Sequence, residues 1–220
     1  MSTTTQTSYQ EGLKGLRGNL TEMIPADELA LFDQDAAALE ATHQSILQLQ
    51  VGDTAPDFTL SNATGESINL AELLQQGKVV LTFYRGTWCP YCNLQLHLYQ
   101  QVIEEIKKAG AQLVAVSPQT PDESLSIKEK NELSFEVLSD NGNLVARQYT
   151  TVFRNADTPV AAMERLGIDF DSFYADDSRE LPVPAVFIIE KDARVSFAQA
   201  IGGDYRNRVE AKEILDALNA

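Results

Sequence analysis

The chain has 220 residues, 44% of them apolar and 22% charged, with 17 Lys and Arg against 32 Asp and Glu. That length and apolar content suit one core domain with an added segment. A formal net charge of −15 repels phosphate backbones and anionic bilayers, so neither nucleic acid nor a membrane surface is an expected partner.

No window reaches the uninterrupted apolar length of a membrane span, and residues 1–10 lack the basic start and apolar middle of a signal peptide. A cytoplasmic location is therefore expected. Residues 1–9 are rich in Ser, Thr and Gln and read as loose. Leu13, Leu16, Leu20 and Met23 then recur at helical spacing up to Pro25. A second stripe runs through Leu29, Phe32, Ala36, Leu39, His43 and Ile46. Residues 1–50 thus read as an N-terminal helical extension that covers the core or a partner subunit. His43 lies on the apolar stripe and reads as a packing residue.

From Val51 the pattern turns to alternating strands and helices. A hairpin is predicted around Thr64-Gly65, a buried strand at Val79–Tyr84, and a helix from the cysteines to Lys107-Lys108, with Gly110 as its stop. A strand at Leu113–Ser117 follows. Thr120-Pro121-Asp122-Glu123 has the capping-box spacing and predicts a helix to about Leu133. Phe135–Leu138 reads as a short strand, and Asn141-Gly142 as a turn before a short helix. Residues 151–181 read as an irregular acidic insertion. Ala185–Glu190 and Arg194–Ile201 are predicted antiparallel strands, and Tyr205–Leu218 a closing helix that Asp204 could cap. The fold class is α/β: a central mixed sheet flanked by helices over residues 51–220.

The two cysteines, Cys89 and Cys92, stand at the junction between the buried strand and its helix. A thiol in the first helical turn meets free backbone N–H groups and the positive dipole end. Such a position can lower a thiol pKa from about 8.5 into the range of roughly 3.5–7.5. Two cysteines this close staple only a tiny loop, so a transient catalytic disulfide is the expected use. Pro90 stiffens the turn, and Trp88 can shield one side of the thiolate. A zinc site would need two further ligands, and the only histidines are His43 and His97. His97 falls on a polar helix face. No Gly-x-Gly-x-x-Gly or Walker-type loop occurs, so no metal, nucleotide or flavin cofactor is expected.

Four segments carry a resemblance to a known family. They are Val51-Gly52-Asp53-x-Ala55-Pro56-Asp57-Phe58-x-Leu60, Phe83-Tyr84-Arg85-Gly86-x-Trp88-Cys89-Pro90-Tyr91-Cys92, Leu138-Ser139-Asp140 and Pro182-Val183-Pro184-Ala185. Together, in this order, they resemble the peroxiredoxin-like branch of the alkyl hydroperoxide reductase/thiol-specific antioxidant (AhpC/TSA) family, within the thioredoxin superfamily. The resemblance implies a thioredoxin fold with Pro184 as a cis-proline facing the cysteines. Residues alone make Val183-Pro184 only an extended dipeptide before a strand. The family surrounds its reactive cysteine with Pro-x-x-x-Thr-x-x-Cys and a later Arg. Here Arg85 takes the Pro position, Cys89 the Thr position, and Pro184 the position of the later Arg.

The resemblance implies a thiol-dependent peroxidase acting on hydrogen peroxide or organic hydroperoxides, reloaded by thioredoxin or another thiol reductant, with a homodimer allowed. In that reading Cys92 attacks the peroxide and Cys89 resolves the sulfenic acid to a disulfide. In the alternative, a protein disulfide oxidoreductase, Cys89 attacks first and Cys92 releases the mixed disulfide. A redox-sensing adaptor is the third reading. Arg85 supplies positive charge to the thiolate or is a surface cation. Thr87 offers a hydroxyl to the peroxide or holds the loop. Arg206 and Arg208 reach the active face or pair with the protein's own carboxylates.

Overall fold

The computed structural model describes residues 7–43 and 46–220. The loose start expected for residues 1–9 lies largely outside the described residues. From Ser8 the chain is already committed to a helix. A reciprocal capping box forms, with Glu11 N–H donating to Ser8 Oγ at 3.2 Å and Ser8 N–H donating to Glu11 Oε2 at 3.0 Å. Helices α1 (Tyr9–Met23) and α2 (Ala26–Thr42) follow, separated at Pro25.

The hairpin strands β1 (Thr59–Asn62) and β2 (Ser67–Asn69) lead into α3 (Leu70–Gln76) and β3 (Lys78–Phe83). Next come α4 (Pro90–Gln101) and α5 (Ile103–Lys108), broken at Val102, then β4 (Ala111–Ser117), α6 (Pro121–Lys130) and β5 (Glu136–Ser139). A 3₁₀ turn at Asn141–Asn143 precedes α7 (Ala146–Tyr149), β6 (Val152–Arg154) and α8 (Asp157–Arg165). After the 3₁₀ turn Phe170–Phe173 the chain closes with β7 (Glu180–Pro182), β8 (Ala185–Ile189), β9 (Val195–Gln199) and α9 (Ala211–Leu218).

Seven strands form one mixed sheet in the order β2-β1-β5-β4-β3-β8-β9. β3, β4 and β5 run parallel, while β8 and β9 return antiparallel beside β3. The central strands are apolar along their whole length because both faces are covered. One face packs against α4, α5 and α9, the other against α3 and α7. Leu13, Leu16, Leu20 and Leu39 of the extension pack onto the first of these clusters, so the stripe expected to cover core or partner lies on the core. Met23, at the end of the stripe, is exposed.

Several local expectations are corrected. Residues 151–181 are not irregular: β6 and β7 pair antiparallel around α8, and Phe153, Met163, Phe170 and Leu181 bury a third apolar cluster. Ile46 lies beyond α2, which stops at Thr42. Thr120 makes no side-chain cap; the carboxylate of Glu123 instead accepts from Thr87 Oγ1 at 3.3 Å. The last helix begins at Ala211 rather than Tyr205. Glu210 and Glu213 cap it reciprocally, while Asp204 is engaged by the Arg206 guanidinium at 2.6–3.1 Å. No cis peptide bond occurs among the described residues, so Val183–Pro184 is trans. Val183 N–H bonds the Thr151 carbonyl at 2.8 Å, and the extended chain runs straight from β7 into β8, a path the ordinary trans bond allows.

Candidate active site

Strand β3 ends at Phe83, and the loop Tyr84–Trp88 carries the chain into α4 with Cys89 as its N-cap and Pro90 as its first residue. Gly86 is required by close approach: a Cβ there would stand 2.7 Å from Trp88 Nε1 and 3.0 Å from Gln119 Cδ. We expect Gly86→Ala to cost about 1–3 kcal/mol through this overlap and to lower the thermal midpoint by several degrees. An unchanged midpoint would mean that the Trp88 and Gln119 side chains yield freely.

The loop is tied at every turn. Gln119 accepts from Thr87 N–H at 2.7 Å and donates to Thr87 Oγ1 at 3.2 Å. Asn93 Nδ2 donates to the carbonyls of Thr87 and Cys89 at 2.7 and 2.9 Å. Trp88 Nε1 donates to Tyr174 at 2.7 Å, and the Tyr174 hydroxyl donates to the Arg85 carbonyl at 3.1 Å. Thr87 is thus occupied with loop bonds.

Both sulfurs are buried, Cys89 at 1% and Cys92 at 0% exposure. Arg208 matters more than its place in the sequence suggests. It is buried, and its Nη2 donates to Cys92 Sγ at 3.4 Å while Nη1 donates to the Tyr205 and Asn207 carbonyls. Its segment, 204–210, is fastened from two sides. Tyr9 OH donates to the Arg206 carbonyl at 2.8 Å, and Tyr99 OH donates to the Val209 carbonyl at 2.8 Å. Arg206 pairs with Asp204 and Asp33, the protein's own carboxylates. No helical phase pointed Arg208 inward, because residues 205–210 are not helical.

Burial works against ionising either thiol, but the two diverge. At Cys92 the neighbouring Cys89 thiol, the Arg208 charge and the Arg85 backbone outweigh burial and hold the pKa well below the usual thiol range. At Cys89 burial and the adjacent Cys92 push the thiol well above it. The surroundings thus favour negative charge on Cys92 and the proton on Cys89.

Arg85 is no surface cation. It is 3% exposed, and its guanidinium carbon lies 3.8 Å from the Tyr205 ring centroid and 4.9 Å from that of Trp88. Its Nη2 reaches Asn155 at only 3.5 Å, and its Nε has no partner. Pro184 is buried at the start of β8. His43 is half-buried and lies 5.6 Å from Phe153 ring to ring, whereas His97 is exposed and bonds Gln101.

Comparison with known proteins places this geometry. The model of the AhpC/TSA family matches residues 51–198. The chain belongs to the AhpC/TSA family. Among curated relatives it is 34% identical over 101 residues to peroxiredoxin Bcp of Escherichia coli, a stretch covering 46% of this chain and 64% of that protein. It is 30% identical over 147 residues to the chloroplastic peroxiredoxin Q of Sedum lineare, covering 66% and 73%. The crystal structure of peroxidoxin BcpB from Mycobacterium tuberculosis superposes with a TM-score of 0.61 at 24% identity, over 78% of this chain and 97% of that one. The mixed sheet and its helices are thus the thioredoxin fold of this superfamily. Arg208, which brings a cation against Cys92 Sγ, lies ten residues beyond the matched stretch. The family match also begins after α1 and α2, whose residues Leu20, Leu29 and Phe32 stand over the cysteine loop.

Proposed function

We propose that the protein is a thiol-dependent peroxidase that reduces hydrogen peroxide or organic hydroperoxides through Cys92 and Cys89. The carrying observation is the Arg208 guanidinium, which donates to Cys92 Sγ at 3.4 Å and so favours negative charge on that sulfur rather than on Cys89. The relatives named peroxiredoxin support the same chemistry. The Cys92 thiolate attacks the terminal peroxide oxygen. The O–O bond breaks, the alkoxide or hydroxide leaves with a proton from solvent, and Cys92 becomes a sulfenic acid. Cys89 condenses with it, a disulfide forms and water departs. Thioredoxin or another thiol then returns two electrons. Among the described residues no helix is long and apolar enough to cross a membrane, which is compatible with work in the cytoplasm.

One observation favours the disulfide oxidoreductase reading: Cys89, not Cys92, borders the open space above the loop. Its raised pKa opposes it, because the thiolate is the attacking species. Sulfenic-acid trapping in single mutants separates the two. Cys89→Ser is expected to form a stable sulfenic acid rapidly with hydrogen peroxide, and Cys92→Ser to react at least tenfold more slowly. Slow reaction in both, with fast capture of a disulfide substrate by Cys89, would refute the peroxidase.

A further inference from the structure

The two cysteines have different surroundings. A cavity of about 220 Å³ lies between the extension and α8, and Cys89 lines it while Cys92 sits against Arg208. Its walls are apolar, with Leu20, Ile24 and Phe32 from the extension facing Met163 and Ile168. Two charged groups interrupt them, Arg85 and Asp35. Arg85 Nε is a buried donor without a partner, and Asp35 Oδ2 a buried acceptor without one.

We propose that this cavity admits a small thiol reductant with an apolar body, which reopens the Cys89–Cys92 disulfide by attacking Cys89. The inference rests on the disulfide cycle proposed above. Size sets the first limit. A cavity of about 150 Å³ holds benzene, so one of about 220 Å³ takes a body of roughly ten non-hydrogen atoms. Polarity sets the second. Glutathione carries two carboxylates and an ammonium, more charge than one Arg85 and one Asp35 can pair, so at least one carboxylate would be stripped of water unpaired. A protein thiol is kept outside, because the extension and α8 flank the approach and Cys89 is 1% exposed.

The unpartnered pair matches what a thiol brings. Its S–H donates to Asp35 Oδ2, which takes the proton, and Arg85 faces the negative charge that develops on sulfur. The incoming sulfur bonds to Cys89 Sγ, the Cys89–Cys92 bond breaks, and the electron pair leaves on Cys92. That thiolate departs towards Arg208, and a low-pKa thiol is the better leaving group. The second thiol of the reductant then attacks its own mixed-disulfide sulfur. Cys89 is released and protonated, and the reductant leaves as a cyclic disulfide. Two electrons have passed from the dithiol to the protein.

The test starts from full-length protein oxidised with diamide, its disulfide confirmed by mass. Reduction is followed by thiol alkylation with dihydrolipoamide, with reduced glutathione and with reduced thioredoxin. Dihydrolipoamide is expected to react at least tenfold faster than either at equal thiol concentration. Ile24→Trp and Ile168→Trp, two separate fillings of the cavity, are expected to abolish that preference, with an unchanged thermal midpoint as the folding check. Should one misfold, the other decides. Glutathione or thioredoxin matching dihydrolipoamide, or a preference that survives filling, would overturn the proposal, as would thiols that diamide leaves unpaired. Because diamide supplies the oxidation, the outcome does not depend on peroxide reactivity. No preference for dihydrolipoamide in the unsubstituted protein, alongside rapid sulfenylation of Cys89→Ser, would overturn the port alone.

Discussion

Arg208→Ala, in a Cys89→Ser background that keeps a hydroxyl donor beside Cys92, is expected to slow sulfenic-acid formation at Cys92 by up to about thirtyfold at pH 7. An ordinary thiol with a pKa near 8.5 is only ~3% ionised at that pH, and Arg208 is the side-chain cation that donates to Cys92 Sγ. The sign follows from the lowered pKa. With Arg208 present the thiolate persists as pH falls through about 8.5, so the rate stays level there. Without it the rate falls through that region and recovers as pH rises. A loss due only to disturbed packing would depress the rate equally at all pH values. Arg208→Lys keeps a charge and is expected to restore part of the neutral-pH rate. Stopped-flow kinetics across pH reads both, and an unaltered pH profile in Arg208→Ala would refute the assignment. The carbonyls of Tyr205 and Asn207, which Arg208 also binds, lose their donor in either test, so the shape of the pH profile is the deciding readout.

Phe187→Ala is expected to cost about 3–5 kcal/mol of stability and to lower the thermal midpoint by about 10 °C. Phe187 is fully buried on β8, in register opposite Leu81 of β3. Its ring lies 5.4 Å from Tyr149 and 6.2 Å from Phe83, both at steep interplanar angles. Removing it leaves a cavity beneath the strand that delivers the cysteine loop, and two aromatic edge contacts are lost with the apolar area. Phe187→Leu keeps most of the volume and is expected to cost under about 1.5 kcal/mol. Calorimetry or denaturant titration distinguishes them. Equal costs for the two variants would show that the neighbouring rings collapse into the space.

Much of the site was legible from residues alone, and the reasons differ by element. The buried β3 run and the cysteines at the start of α4 announce themselves through hydrophobic pattern, Pro90 and spacing, all of which are local. The α/β class and the antiparallel pairing of the last two strands follow from alternation of strand and helix, whereas the strand order is set by the tertiary packing. Arg208 was a candidate for the active face with its direction undecided, because that direction depends on a non-helical segment held by Tyr9 and Tyr99. Asp35 sits in the polar-looking run Asp33-Gln34-Asp35, and only the docking of α2 turns it towards Arg85. Thr120 and Glu123 had the spacing of a cap, but Thr87 drew the carboxylate elsewhere. The cis form inferred for Pro184 came from resemblance, and the β7-to-β8 path has no need of it.

Arg208 follows Cys92 by 116 positions, and its segment is anchored by Tyr9 at the opposite end of the chain. During synthesis the sulfur therefore leaves the ribosome long before the cation that charges it. Until residues 204–210 emerge and dock against both α1 and α4, Cys92 lacks that cation and is an ordinary thiol, slow towards oxidants. Under the proposed peroxidase cycle, reactivity thus arrives only when this segment has docked, and a chain made no further than α4 carries no armed sulfur to be overoxidised or cross-linked.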